Sequence, residues 1–248
     1  MSNSKFPFPA YIECCPYEQL LPEYTPEEEL DAVLAKDEVM NIMGLRNYYY
    51  CCGDVPAVLE NLWVQKPENR KTASFGSNFG FYIGWDEIQR FVAESWSKLE
   101  IGSESQSVNT PWIYVAFDRQ TARGLWYSDG FVTDKKGNTD VIAQKVAVDF
   151  IREGDEWKIW HLVYGSDLVD ALHAEPIEGD YGMLGKLKEW FGTPTVVCTT
   201  HDPSYNWNDN YPAEPVPYET FRLSESYAPE GCPRYRQHMR EVRKNEKI

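Results

Sequence analysis

No apolar run in this 248-residue sequence approaches the roughly 18–20 residues that a membrane-spanning helix needs. The opening MSNSKFPFPAYIECC has neither the charged start nor the apolar centre of a secretory signal, so the expected location is the cytoplasm, with no membrane partner. Positive charge is short as well: 24 Lys and Arg stand against 39 Asp and Glu, a formal net charge of -15. An acidic body repels phosphate backbones, which argues against nucleic acid as a partner. Only the last fifteen residues run the other way, with a local charge of +4 from Arg234, Arg236, Arg240, Arg243, Lys244 and Lys247 against Glu241 and Glu246. They read as a solvated C-terminal helix or as an arm that docks on an acidic neighbouring subunit.

Chemical motifs are missing too. The sequence has no Gly-rich phosphate loop, no GxSxG elbow, no HExxH, no Cys/His zinc cluster and no EF-hand pattern. The glycines of GSNFGFYIG have the wrong spacing for a dinucleotide fingerprint, and no βαβ unit surrounds them. Six cysteines include the adjacent pairs Cys14, Cys15 and Cys51, Cys52, too tightly spaced for two thiolates of one segment to chelate a metal. In a cytosolic chain they read as reduced thiols, with Cys14 or Cys52 in a cavity wall as the alternative. No cofactor and no metal is indicated.

Present in quantity are hydrophobic residues (42%) and aromatics (15%), enough for a substantial core. Residues 1–25 read as an irregular arm. Thr25 then caps a helix, with Pro26 at its first position and Glu28 completing a capping box. Leu30, Val33, Leu34, Val39, Ile42, Met43, Leu45 and Tyr49 recur at helical steps as far as Gly53, with a break expected near Lys36. A short helix, VPAVLENLW, is followed by the turn-prone QKPENRK, a hairpin of KTASFG and NFGFYIG, and a third helix, DEIQRFVAESWSKL. SESQSVN reads as a loop. Four strand-like runs come next: TPWIYVAFD, ARGLWYSDG, VIAQKVAVDFIRE and WKIWHLVYGSDL. YGMLGKLKEWFG reads as one more helix, and the rest of the chain is rich in Pro, Asn, Tyr and Ser without a period. The expected class is α+β, with helices first and an antiparallel meander after them.

LRNYYYCCGD, YIGWDEIQRFV, TARGLWYSDG and VDFIREGDEWKIWHLVYGSD, in this order, resemble the SnoaL-like branch of the nuclear transport factor 2 superfamily over roughly residues 26–168. The resemblance implies a cone-shaped barrel in which a bent antiparallel sheet is closed by N-terminal helices around an apolar cavity. It divides the chain into an arm (1–25), a SnoaL-like domain (26–170) and a C-terminal extension (171–248) wrapping the domain or a neighbouring subunit. It further implies cofactor-independent chemistry. The length resembles that of longer members, lyases that release formaldehyde from lignin-derived diaryl compounds. Isomerases or cyclases on steroid-like or polyketide substrates, and non-catalytic binding modules, are the other readings.

His161 follows Trp157 and Ile159 at strand spacing, so the three are expected on one inner face. An imidazole there could move a proton in an elimination, or serve as a buried structural group. Asp149, in the apolar run VAVDFI, would be its partner if the register permits, and Asp129 in WYSDGF is either an acid–base group at a cavity mouth or a turn residue. Of Tyr48, Tyr49 and Tyr50 at most one or two can enter the cavity. Tyr49 is taken as a catalytic candidate and Tyr48 as a binding one. Arg123 either pairs with an acid on the convex side or binds an anionic substrate group. Trp63, Trp112, Tyr114, Trp126, Trp160 and Tyr164 are expected to line an aromatic site or fill a barrel. The opposite, convex set, Ile113, Val115, Phe117, Leu125 and Tyr127, is apolar enough to predict a homo-oligomer, dimer or trimer.

Overall fold

The computed structural model describes residues 24–98, 101–171, 192–198, 200 and 211–245, with the backbone alone for 93–98, 101 and 167–171. The expected arm up to residue 23 and the expected helix at 181–191 lie outside the described residues. The capping box forms as the sequence dictates: Thr25 Oγ1 accepts from the Glu28 amide and the Glu28 carboxylate accepts from the Thr25 amide. From it runs α1, Pro26–Cys51, without the break expected near Lys36. Gly53, at φ 72°, ends the helical path in a conformation that costs a residue with a Cβ. α2 (Val55–Ala57) continues into a π-helical turn, Val58–Leu62. α3, Pro67–Thr72, occupies the stretch read as a turn. Its signal was Pro67 at the first helical position, which four polar neighbours concealed.

β1 (Ser74–Ser77) and β2 (Gly80–Ile83) form the expected hairpin, and α4 (Trp85–Lys98) follows. The meander is β3 (Ile101–Val115), β4 (Thr121–Asp134), β5 (Thr139–Glu153) and β6 (Glu156–Ala171), with a short β7 at Val196–Val197. The sheet order is β3-β4-β5-β6-β1-β2-β7. All its pairings are antiparallel except β1 with β6. This is the α+β class expected, as a curved seven-stranded sheet with α1 laid across one face. β3 starts nine residues before the expected strand, so SESQSVN is strand and not loop. Its serines Ser103, Ser105 and Ser107 are exposed to solvent, which an edge strand tolerates.

Two cores lie on the two faces. On the inner face, Val39, Ile42 and Met43 of α1 pack with Trp126, Val146, Val148, Phe150, Ile159, Leu162 and Tyr164. Each fully buried side chain of this size contributes about 1.5–3 kcal/mol. On the outer face, Phe81, Leu125, Ala147 and Val163 pack with Cys198, Tyr211, Tyr227 and Cys232. The described C-terminal residues therefore cover much of the outer face. They are also tied to the β3–β4 turn, where the Phe117 and Asp118 amides donate to the Tyr218 and Glu219 carbonyls. The last helix, α5 (Pro233–Asn245), has no buried residue, in keeping with a solvated basic helix.

Two bulges decide which side chains point inward. β6 carries one residue more than β5 between the pairs Phe150–Ile159 and Asp149–His161, and the extra residue is Trp160. Trp157 and Ile159 precede it on the inner face, and Leu162 and Tyr164 resume that face after it. His161 is thereby turned outward, because one inserted residue moves every later side chain to the other face. The expectation that His161 shares the face of Trp157 and Ile159 is corrected on this ground. A second bulge lies between Asn109 and Trp112, where Thr110 has a φ of 49°. Past it Trp112 pairs with Leu125 and Tyr114 with Arg123 on the outer face, while Ile113 and Val115 join the inner core. The expected inner and outer sets of this strand are thus exchanged.

Candidate active site

The C-terminal half of α1 brings Arg46, Asn47 and Tyr50 over the inner face. Arg46 and Asn47 are buried. The Arg46 guanidinium donates to Asn47 Oδ1 at 3.1 Å, and Asn47 Nδ2 donates to the Gln106 carbonyl at 3.3 Å, which fixes α1 to the edge strand. Arg46 Cζ lies 4.6 Å from the centroid of the Tyr50 ring and 5.3 Å from that of Tyr164, a cation held between two phenol rings.

Glu104, on β3, is the acid of this cluster. It alternates with Gln106 and Val108 along the strand, and the three are half-buried while Ser103, Ser105 and Ser107 between them are exposed. Burial pushes the Glu104 carboxyl up to about 7, against a smaller opposing pull from the Arg46 charge. Burial also raises the Tyr50 phenol above its ordinary value; the Arg46 charge partly offsets this, the Glu104 charge adds to it, and Arg46 hydrogen-bonds the phenol. Beside them a row of polar groups crosses the inner face: Ser128 pairs in register with Gln144, and the Ser166 hydroxyl donates to Gln144 Oε1 at 3.1 Å. The Ser128 hydroxyl is buried without a hydrogen-bond partner among the described residues. A carboxyl poised near neutrality, a protonated phenol and a fixed cation together can remove one proton, supply another and hold a developing anion.

The expected catalytic residues lie elsewhere. Asp149 and His161 do meet across β5 and β6, with Oδ2 to Nδ1 at 3.0 Å, as the register allowed. They do so on the outer face, 1% and 0% exposed. The His161 ring is stacked on Trp160 at 4.3 Å and lies 5.9 Å from Phe221 of the C-terminal segment. Asp149 also accepts the Arg123 Nε at 3.3 Å and the Tyr227 amide at 2.7 Å. Asp129 is neither at a strand end nor in a turn. It stands exposed in mid-strand and accepts from Asn109 Nδ2 at 2.7 Å.

Tyr49 is half-buried against the inner core and lines an open groove of about 600 Å³ between α1 and the β5–β6 turn. Tyr48 is 63% exposed and points away from the interior, so its expected binding role is corrected. Tyr50, one residue further on, is half-buried against the same inner core and packs on Arg46. Trp126 and Tyr164 face inward as expected, and Trp63 is buried in the same core. Trp112 is 48% exposed on the outer face, which removes it from the expected lining, and Tyr114 is on that face beside Arg123. Arg123 takes the first of its two readings, on the convex side and paired with an acid.

Arg46 and Glu104 escaped sequence reasoning, and Tyr50 was named there only as one of three tyrosines at the end of the helix. The alternation of Glu104, Gln106 and Val108 was the available signal, hidden by the serines between them.

No protein-family model matches the sequence, and no curated protein matches it. Solved structures do resemble the fold. A Mycobacterium tuberculosis protein of unknown function superposes with a TM-score of 0.50 at 10% identity, covering 69% of this chain and 98% of that one. A nuclear transport factor 2-like superfamily protein from Salmonella enterica gives a TM-score of 0.47 at 17% identity, over 59% of this chain and 98% of its own. A hexachlorocyclohexane dehydrochlorinase from Novosphingobium barchaimii gives 0.48 at 12% identity, over 60% and 99%. With helices first, then a curved sheet wrapped around the long helix, this chain has an α+β fold like that of the Mycobacterium tuberculosis protein.

Proposed function

We propose that the chain is a cofactor-independent lyase that works by proton-transfer elimination on a hydroxylated aromatic substrate, with the reacting atoms between α1 and the inner face of the sheet. The observation that carries this reading is Glu104, a carboxyl held near pH 7 by burial beside Arg46 and Tyr50. A base with that value is ionised in part at neutral pH and still strong enough to take a proton from a hydroxyl or an activated C–H. Tyr50, kept protonated by burial, is the matching acid for a departing hydroxide, and Arg46 fixes its ring. Trp126, Tyr164 and Phe75 on the inner face supply ring surfaces suited to an aromatic body.

In the dehydration form Glu104 takes the C–H proton, the electron pair forms the double bond, and hydroxide leaves as water with the Tyr50 proton. In the formaldehyde-releasing form Glu104 takes the proton of a primary hydroxyl. The adjacent C–C bond then breaks to give formaldehyde, and its electron pair forms a double bond as the neighbouring hydroxyl leaves as water. Both forms need two opposed proton-transfer groups and no redox partner.

In this reading the His161–Asp149–Arg123 group holds the C-terminal segment on the sheet and does not touch substrate. The remaining outer aromatics, Trp112, Tyr127 and Phe131, each about half exposed, make a homo-oligomer part of the proposal. The experiment is a screen of the purified full chain, without added metal or nucleotide, against hydroxylated aromatic dimers, with detection of water loss by mass and of formaldehyde by trapping. Turnover that Glu104→Gln abolishes supports the reading, and turnover that Glu104→Gln leaves intact rejects it.

A further inference from the structure

On the outer face, between the C-terminal segment and the sheet, lies a cavity of about 380 Å³, within the roughly 300–1,000 Å³ of small-molecule sites. Its lining includes Arg123 from β4, with Tyr211, Val216, Tyr227 and Pro233 as apolar walls and Arg236 at the rim. Nothing in the proposed elimination uses it.

Arg123 is 3% exposed, and its partners do not satisfy it. Its Nε donates to Asp149 Oδ1 at 3.3 Å, a long contact, and its Nη2 is buried with no acceptor among the described residues. Asp149 has little left to give, since its other oxygen already serves His161 Nδ1 at 3.0 Å and the Tyr227 amide at 2.7 Å. The flat face of the guanidinium rests on the Tyr218 ring, with Cζ 4.5 Å from its centroid. A buried guanidinium with an unused donor is costly, and a planar oxyanion matching its fork is what normally completes it.

The walls define the rest of the ligand. Tyr211 and Tyr227 direct their hydroxyls into the segment's own backbone, to the Tyr227 carbonyl at 3.3 Å and the Ala213 carbonyl at 2.7 Å, so their contribution to the lining is mainly apolar. Glu214 and Glu225 also line the cavity, and they oppose multiply charged anions such as phosphates. We propose that this cavity binds a small aromatic monocarboxylate, its carboxylate on Arg123 and its ring between Tyr211, Tyr227 and Val216.

The test uses benzoate as the probe, titrated calorimetrically into the full chain, with benzamide as its neutral isostere. Benzoate should saturate one site below about 10 mM, and benzamide should bind at least about tenfold more weakly. Val216→Trp, which fills the cavity, and Arg123→Lys, which keeps the charge but loses the fork, should each weaken benzoate by at least about tenfold. Glu104→Gln, on the other face, should leave benzoate affinity unchanged, which separates this site from the elimination site. The proposal is overturned by absence of saturable binding at that concentration, by equal affinity for benzamide, or by benzoate binding that Val216→Trp leaves unaltered.

Discussion

Arg46 and Glu104 approach one another from different elements, the arginine from the last turns of α1 and the glutamate from an edge strand. The arginine's charge is what limits the rise of the glutamate's pKa under burial. Without Arg46 the carboxyl would lose this counter-charge and stay protonated to higher pH. Arg46→Met is therefore expected to move the pH at which activity appears upward, read from the acidic limb of kcat/KM.

Glu104 also leaves a mark on stability. Its folded value of about 7 lies above the ordinary 4.5, so between those pH values the unfolded chain releases a proton that the folded chain keeps. Stability falls as pH rises through that window and levels off above it. Glu104→Gln removes the fall, and the variant should exceed the wild type at pH 8 by roughly 1–3 kcal/mol in urea titration. Equal stability at pH 4 and a gain at pH 8 is the expected pattern.

Tyr50→Phe keeps the ring against Arg46 and removes only the acidic proton. Turnover should drop by about 100-fold with the melting temperature little changed. Tyr48→Phe, on an exposed side chain, should alter neither.

His161→Ala breaks a pair whose members are almost fully buried, and leaves Asp149 with Arg123 and the Tyr227 amide. The expected cost is about 3–5 kcal/mol in chemical denaturation, with faster proteolysis of the C-terminal segment that Phe221 and Tyr227 anchor. The protein that remains folded should turn over substrate within about threefold of wild type. Lost turnover with intact stability would return His161 to the chemistry.

These outcomes follow local features that the sequence shows unevenly. The start of α1 was readable because Thr25, Pro26 and Glu28 each satisfy or spare a helix-end amide. The inward set of β4, with Trp126 over Gly124, was readable from alternation alone. Gly124 is required there, since a Cβ would collide with the Trp126 ring. The pairing of Asp149 with His161 was legible too, but not its face, because alternation does not reveal an inserted residue such as Trp160. Thr110 hid the same kind of step in β3. Glu104 was missed for a different reason: a polar edge strand resembles a loop until the long helix that covers its inner side is known.

The most direct measurement is the pH dependence of kcat/KM for a responsive hydroxylated aromatic substrate, in wild type, Glu104→Gln and His161→Ala. The account predicts an ascending limb centred near pH 7 in wild type, set by a base that must be ionised. That limb should persist in His161→Ala, and in Glu104→Gln it should vanish along with at least about 100-fold of the rate. Retention of both limb and rate in Glu104→Gln, with their loss in His161→Ala, would contradict the account.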